Sequence, residues 1–220
     1  MIRFEHVDKR YPSGITALVG VDLEISPGEL VVVTGPSGAG KSTLLALMAG
    51  LERPSAGKVT LNGEDLCALR PRWQPYVRRR FGLVFQDHKL LFDRTVFDNV
   101  ALPLRIALFN RTETMQRARA ALDKVGLLDR ERAMPAMLSG GEQQRLCIAR
   151  AIVHRPSILL ADEPTGNLDP DYAASIADLL KSFNAAGVAV IIASHDRTVI
   201  ERLQPRLLHL RAGRLSEGEP

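Results

Sequence analysis

The stretch from Leu30 to Gly50 constrains the fold more than any other part of the chain. Its first five residues, Leu30 to Thr34, are apolar or β-branched and predict a buried strand. A turn of eight residues follows from Gly35 to Ser42, and an apolar run of helical character comes directly after it. The stretch therefore predicts a strand, a glycine-rich turn and a helix in immediate succession.

The turn matches the pattern G-x-x-x-x-G-K-[ST], with Gly35, Gly40, Lys41 and Ser42 at the fixed places. Glycines let the backbone curl so that successive N–H groups point inward and bind anionic oxygens. The helix N-terminus adds about half a positive charge, Lys41 supplies a full charge to β- and γ-phosphates, and Ser42 is placed to ligate Mg²⁺. A glycine-rich turn that binds nothing is the plainer alternative. The flanking strand and helix and the Lys-Ser pair favour a nucleoside triphosphate site.

Length and composition exclude several other classes of protein. With 220 residues the chain is long enough for one domain, or for one domain with a smaller lobe. Cys67 and Cys147 lie too far apart to indicate a disulfide framework, and the five histidines lack metal-ligand spacing. No apolar run approaches the ~20 residues that cross a bilayer, and no signal peptide opens the chain. We therefore expect a cytoplasmic protein, which is compatible with docking on a membrane partner.

Three patterns in the first third of the chain predict further strands. Residues 2–7 alternate between apolar and polar side chains, and residues 16–25 form a second strand region. A short strand over residues 58–61 ends at Asn62-Gly63, a dipeptide typical of hairpin turns. We expect these strands to form a small, mostly antiparallel lobe beside the central sheet.

Two segments with aromatic residues each allow two interpretations. Tyr11 is either an edge-strand packing residue or a ring that stacks on adenine, and the sequence favours neither. Residues 70–80, which contain Trp73 and Tyr76, form the most basic stretch of the chain. Interleaved arginines and aromatic rings are compatible with nucleic-acid binding. The short length and the two prolines favour a solvated segment at the edge of a helix.

The rest of the chain predicts helices between buried strands. Helical character dominates from residue 87 to residue 155 and is clearest over residues 113–125, where Gly126 is a candidate C-cap. The other expected elements are a strand at 81–85 ending at Gln86, a helix over about 170–185, and a last strand at 207–210 followed by a polar tail.

Ser139-Gly140-Gly141-Glu142 precedes a helix that we expect to run to about residue 154. Ser-x-x-Glu at a helix start is a capping box, which requires no further function. The two glycines cost roughly 1 kcal/mol each relative to alanine, and they would allow an anion to approach the backbone. The sequence thus leaves room for a second anion site.

Polar residues follow two predicted buried strands, at 157–161 and 188–193. Asp162 and Glu163 follow the first, and adjacent carboxylates at a strand end point in different directions. One carboxylate could therefore bind Mg²⁺ and the other a water. The alternative is that both are acidic residues at a strand end without a function. His195 follows the second strand, where it is either a structural histidine or a contact to the γ-phosphate.

Taken in order, these motifs resemble the nucleotide-binding domain of ABC-type ATPases over nearly the whole chain. The motifs are GPSGAGKS at 35–42, Gln86, LSGGEQ at 138–143, ILLADE at 158–163, NLD at 167–169 and His195. LSGGEQ discriminates best, because many NTPases share the first motif. The segments QDHKLLFDRTVFDNVALPL and LLADEPTGNLD resemble a cell-division branch of the family, although lipoprotein-releasing and macrolide-exporting members share ADEPTGNLD.

The resemblance implies an α/β fold of the P-loop NTPase type. It has a mixed, mainly parallel core sheet, an antiparallel β lobe and an inserted helical lobe. A single domain would cover residues 1–220. The core and β lobe would comprise 1–86 and 156–220, and the helical lobe 87–155.

The resemblance also implies that two copies close head to tail around two ATP molecules. Each ATP would lie between the phosphate-binding turn of one copy and the LSGGEQ helix of the other. The implied nucleotide contacts are Tyr11, Gly35, Pro36, Ser37, Gly38, Ala39, Gly40, Lys41, Ser42, Thr43 and Gln86, with Ser139, Gly140, Gly141 and Asp169 completing the site across the interface.

Roles follow from the same resemblance. Mg²⁺ would be bound by Ser42, Gln86 and Asp162. Glu163 would be the general base or would position the attacking water, and His195 would contact the γ-phosphate. Glu163, His195, Lys41 and Gln86 would together be the catalytic residues.

For partners, the cell-division branch implies an ATP-dependent homodimer at the inner face of the cell membrane. Residues 86–104 would contact a membrane subunit, other division proteins are further candidates, and no nucleic acid is expected. The dimer would drive that subunit and activate septal peptidoglycan hydrolysis. The alternatives are the ATPase of a lipoprotein or macrolide exporter, and an ATP-gated division scaffold that scarcely hydrolyses ATP.

Overall fold

The computed structural model describes residues 1–166 and 168–218, and these contain ten strands and seven α-helices. The strands are β1 (Ile2–Arg10), β2 (Thr16–Ile25), β3 (Leu30–Thr34), β4 (Ala56–Leu61), β5 (Glu64–Asp65), β6 (Phe81–Val84), β7 (Ile158–Asp162), β8 (Ala189–Ala193), β9 (Arg206–Arg211) and β10 (Arg214–Glu217). The helices are α1 (Lys41–Met48), α2 (Gln74–Arg78), α3 (Val96–Ile106), α4 (Arg111–Lys124), α5 (Gly140–Ile152), α6 (Pro170–Ala185) and α7 (Arg197–Leu203). None of the helices within these ranges is both long and apolar enough to cross a membrane.

The strands form two sheets. One is fully antiparallel, in the order β2-β1-β4-β5, and the other has the order β10-β9-β3-β8-β7-β6. In the second sheet β9, β3, β8, β7 and β6 run parallel, and only β10 is antiparallel to its neighbour. The predicted mixed core sheet and antiparallel β lobe are both confirmed.

The central strand β3 is apolar along its length because both faces of the core sheet are covered. Val32 belongs to the apolar cluster that includes residues of α3 to α7. Val31 and Val33 point to the opposite face and belong to the cluster that includes β1, β2, β4 and α1. The alternation within β3 therefore joins the two halves of the core.

Three helices, α3, α4 and α5, lie between β6 and β7 in the sequence and pack against one another. Helix α5 also packs on β6, and its buried residues share one apolar cluster with the core strands. The boundaries proposed at residues 87 and 155 for a helical lobe therefore stay a prediction.

The end of the chain differs from the sequence-based expectation. The predicted polar tail is wrong for residues 214–217, which form β10. Ala212 and Gly213 both have positive φ, 48° and 76°, and they make the tight turn of a hairpin. Gly213 also accepts a hydrogen bond from the Val19 N–H, so the hairpin is tied to the β lobe. Residue 167 of the NLD motif and residues 219–220 lie outside the described residues.

His154 lies just beyond α5 and ties it to β6. Its Nε2 donates to the Phe81 carbonyl at 3.1 Å, and its Nδ1 is buried without a hydrogen-bond partner in the described part of the chain. Burial lowers the pKa of His154 below its ordinary value of 6.5, and the hydrogen bond to Phe81 opposes that shift only in part.

We predict that His154 makes the protein less stable in mild acid. The folded state binds the imidazole proton less tightly than the unfolded state, so stability falls as the pH drops below about 6.5, by at most about 1.4 kcal/mol per pH unit. In thermal melts between about pH 7.5 and pH 5.5, His154→Gln should lose less stability than the parent. A parallel loss in both proteins would contradict this prediction.

Candidate functional site

A cleft of about 690 Å³ opens at the carboxyl end of strand β3. Its walls come from the turn after β1, the turn between β3 and α1, and the ends of β6, β7 and β8. The lining residues are Tyr11, Ile15, Ala17, Gly35, Pro36, Ser37, Gly38, Gly40, Lys41, Ser42, Thr43, Gln86, Asp162, Glu163, Gly166 and His195. All predicted contacts of one subunit therefore lie around one cleft, apart from Ala39, which is buried inside the turn.

The turn between β3 and α1 requires glycine at two places. Gly35 has φ of 144°, and a Cβ there would lie 2.1 Å from the Leu210 carbonyl oxygen. Gly40 has φ of 109°, and a Cβ there would lie 2.4 Å from the Ala17 carbonyl oxygen. Real side chains do not tolerate such distances to backbone atoms, and positive φ disfavours them further. The pattern of the motif thus reflects close packing of the turn as well as its curl.

The Lys41 ammonium group lies at the centre of the cleft. Its side chain is 9% exposed, and Nζ donates to the carbonyl oxygens of Gly35 at 2.8 Å and Pro36 at 3.4 Å. The Glu163 carboxylate lies 3.5 Å from the same nitrogen. A buried cation surrounded by the curled turn is suited to bind phosphate oxygens.

Asp162 presents a carboxylate that the protein leaves partly unsatisfied. Burial raises the pKa of this group, the Ser42 hydroxyl lowers it through a hydrogen bond, Glu163 raises it and Lys41 lowers it, with a net upward shift. Oδ1 is buried and has no hydrogen-bond partner among the described residues. An orphaned carboxylate oxygen beside a hydroxyl is a donor set that Mg²⁺ prefers. The residues present therefore fit the predicted metal.

Glu163 and His195 meet at the ends of the adjacent strands β7 and β8. Glu163 Oε1 lies 3.1 Å from His195 Nδ1, and the Glu163 N–H donates to the Ala193 carbonyl at 2.8 Å. Glu163 has φ of 46°, a left-handed conformation that costs a residue with a side chain about 1–2 kcal/mol. Such strain is often found at functional sites. It turns the carboxylate into the cleft toward Lys41.

Tyr11 lines the cleft and is fixed from two sides. Its hydroxyl lies 3.2 Å from Thr43 Oγ1, and the Lys9 ammonium lies 4.8 Å from the centre of its ring. Lys9 is itself buried and donates to Glu52 and to the Arg53 carbonyl. Sequence reasoning missed Lys9, because nothing in the local pattern reveals a cation beneath the ring. Stacking of Tyr11 on adenine stays a prediction.

The LSGGEQ residues lie outside the cleft. Ser139 and Glu142 form the predicted capping box, with N–H to side-chain distances of 2.8 and 3.3 Å. A Cβ on Gly141 would lie 2.6 Å from the Tyr172 ring, whereas Gly140 is exposed and a Cβ there would only touch the Leu168 side chain at 4.0 Å. Gly141 is thus explained by packing within the chain, and packing does not explain Gly140.

Asp169 also lies outside the cleft. Its Oδ1 accepts hydrogen bonds from the N–H groups of Asp171 and Tyr172, both at 3.1 Å, and so it caps helix α6. Helix capping within one chain is therefore enough to explain an aspartate at position 169. A role at an interface stays a prediction.

The strand, turn and helix around Lys41, with acidic residues at the end of the neighbouring strand, define a P-loop nucleotide-binding domain. The model of the ABC transporter family matches residues 18–166, and the chain belongs to this family. Proteins of this family are ATPases, so the chain binds ATP.

The chain is similar over its whole length to several curated proteins. It is 54% identical to the cell division ATP-binding protein FtsE of Escherichia coli K12, over 99% of this chain and 98% of that protein. It is 42% identical to the FtsE of Bacillus subtilis, over 100% of this chain and 96% of that protein.

Two solved structures of the ATP-binding cassette MJ0796 share the fold, each with a TM-score of 0.91 and complete coverage of both chains. Their sequence identities to this chain are 34% and 35%. Both are dimers, and the first is described as a post-hydrolysis state bound to ADP and Pi.

We predict that Lys41→Ala weakens ATP binding by roughly 10- to 100-fold, because hydrogen bonds to a charged group contribute about 1.5–3 kcal/mol. Titration calorimetry of the purified protein measures this change. Lys58→Ala removes an exposed lysine from β4 and should leave the affinity unchanged. Normal affinity in Lys41→Ala would rule out the position that we assign to the phosphates.

Proposed function

We propose that the chain is the ATP-hydrolysing subunit of a membrane complex in bacterial cell division. The full-length similarity to proteins named FtsE, at 41–54% identity, carries this proposal. The cleft supports the proposal, because a lysine, a hydroxyl and two carboxylates suited to ATP hydrolysis line it.

In this proposal the triphosphate lies in the turn of residues 35–42. The inward N–H groups and Lys41 bind its oxygens, as helix N-termini and lysine do at other phosphate sites. Tyr11 stacks on the adenine, and Thr43 holds the Tyr11 hydroxyl. Gln86 is exposed just beyond the end of β6 and lines the cleft, where it would contact the γ-phosphate.

The Ser42 hydroxyl and Asp162 Oδ1 would bind Mg²⁺, with Gln86 as a further ligand. A divalent cation at this place neutralises charge that develops on the phosphate oxygens. The orphaned Oδ1 of Asp162 supports this assignment, because a buried carboxylate oxygen without a hydrogen-bond partner is costly unless it binds a cation.

Glu163 acts on the attacking water in this mechanism. Its carboxylate accepts the proton, or orients the water, and its left-handed backbone holds it over the cleft. General base catalysis of this kind contributes typically 10²–10⁴ in rate. His195, at 3.1 Å from Glu163, is 75% exposed on its side chain and so is free to contact the γ-phosphate as well.

The second half of the site comes from another copy of the chain. Ser139, Gly140, Gly141 and Asp169 lie outside the cleft of their own chain, and the 13-residue helix α5 begins at the exposed Gly140. Two copies arranged head to tail would place that helix N-terminus against the triphosphate of the partner. The dimeric cassettes of the same fold support this arrangement.

The membrane partner is of the FtsX type, and the protein lies at the inner face of the membrane through it. Exposed apolar side chains suit a contact in the segment that follows Gln86: Leu91, Phe92, Ile106 and Leu108. Closure of the dimer would pull on this contact and activate septal peptidoglycan hydrolysis, with other division proteins as further partners.

Purification of the protein with its native membrane partner tests the cell-division role. We expect a subunit with four transmembrane helices and one sizeable extracytoplasmic domain. A lipoprotein-binding or exporter subunit would move the chain to the lipoprotein or macrolide branch instead. ATP turnover by the purified complex separates both from a scaffold that only binds ATP.

We predict that Glu163→Gln lowers ATP hydrolysis by at least 100-fold, because the amide cannot accept the proton of the water. ATP affinity should stay within about twofold of the parent. A phosphate-release assay and calorimetry measure the two quantities. Glu201→Gln, on the exposed side of α7, is the matched control and should hydrolyse ATP normally. Unchanged turnover in Glu163→Gln would disprove the role of this residue.

A further inference from the structure

The basic-aromatic segment, residues 70–80, has no part in the site or in the proposed function. Its eleven residues include five arginines and no acidic residue, together with Trp73 and Tyr76. Apart from these five, the chain has 24 Lys and Arg against 25 Asp and Glu. The net charge of +4 therefore originates entirely in this one segment.

The structure exposes these charges. Residues 71–73 form a short 3₁₀ turn, α2 follows, and the buried Val77 anchors the segment to the core. All five arginines are exposed: Arg70, Arg72, Arg78, Arg79 and Arg80. Within residues 1–166 and 168–218, none of their guanidinium groups lies within 4.0 Å of a carboxylate. The protein leaves this positive charge for an external anion.

The two aromatic rings are exposed beside the arginines. Trp73 and Tyr76 are 50% and 59% exposed, and their ring centres lie 5.6 Å apart. Arg72 lies over the Trp73 ring at 5.7 Å, and Arg79 lies over the Tyr76 ring at 5.3 Å. The rings border a recess of about 350 Å³, whose lining includes the acidic Glu64. Trp and Tyr side chains are amphipathic, because a polar N–H or O–H group lies at the edge of an apolar ring. The arginines beside the two rings add cation–π contacts.

We propose that the basic-aromatic segment binds directly to anionic phospholipid headgroups on a membrane surface. Arginines attract the negative surface, each adding about fivefold to partitioning, and Trp and Tyr side chains insert at the headgroup level. A nucleic acid is the other polyanion to consider. Helix α2 has five residues and the patch is one compact corner of the β lobe, which is too short to follow a groove or a strand. The proposal does not depend on ATP hydrolysis.

Trp73 provides a direct test, because it is the single tryptophan of the chain. We expect its fluorescence emission to shift to shorter wavelength when the full-length protein is mixed with vesicles of phosphatidylglycerol and phosphatidylcholine. Vesicles of phosphatidylcholine alone should cause no shift, and salt should reverse the effect. No shift with anionic vesicles at physiological ionic strength would overturn the proposal.

Matched variants test whether the segment, rather than overall charge, is responsible. Arg72→Gln, Arg78→Gln and Arg79→Gln together should lower vesicle partitioning by about 100-fold in flotation experiments. The control combines Arg111→Gln, Arg211→Gln and Arg214→Gln, which removes the same charge from exposed positions elsewhere. Equal losses in both triple variants would contradict the proposal.

Two readings complete the test. ATP turnover and melting temperature should be unchanged in both triple variants, which shows that the patch variant is folded. A single-stranded oligonucleotide should shift Trp73 emission only at concentrations well above those of the anionic lipid. If the oligonucleotide acts at lower concentration than the vesicles, the segment is a nucleic-acid site and the proposal is wrong.

Discussion

The phosphate-binding turn is held between two backbone carbonyl groups, and the rest of the site depends on this contact. Gly35 packs against Leu210 of strand β9 in the core sheet, and Gly40 packs against Ala17 of strand β2 in the antiparallel sheet. The turn is therefore clamped where the two sheets meet. Any side chain at either glycine would push the sheets apart, so the shape of the cleft and the joining of the two sheets are one constraint.

The parallel core places the chemistry around this clamp. Since β6, β7 and β8 end at the same edge of the sheet, Gln86, Asp162, Glu163 and His195 all lie around the cleft. The site includes features that oppose stability: a buried carboxylate oxygen without a partner and a glutamate in a left-handed conformation. The apolar clusters on both faces of the core sheet compensate for these local losses of stability. Many enzymes give up stability at the active site in this way.

The sequence predicted the elements whose signal is local. The buried strands β3, β7 and β8 are short apolar runs, and the capping box at Ser139 is a four-residue pattern. Strand β10 is polar and forms only because the hairpin at Gly213 pairs it with β9, so no periodicity reveals it. Helix α7 has seven residues and was missed for the same lack of a long pattern.

For the site, spacing identified the residues but not their partners. The motif around Lys41 has a fixed spacing, and its residues line the cleft apart from the buried Ala39. The Glu163–His195 contact joins residues that lie 32 positions apart in the sequence, and it depends on the pairing of β7 with β8. The Lys9–Tyr11 contact and the packing of Gly141 under Tyr172 depend on tertiary structure in the same way.

We propose that each ATP is bound from two sides by two copies of this chain. Sedimentation of the hydrolysis-deficient Glu163→Gln protein with ATP and Mg²⁺ tests this arrangement. We expect a particle of twice the 24.2 kDa monomer mass, and a monomer when Ser139→Arg is added to block the partner helix. A protein that stays monomeric with bound ATP, even with its membrane subunit present, would show that the second copy does not complete the site.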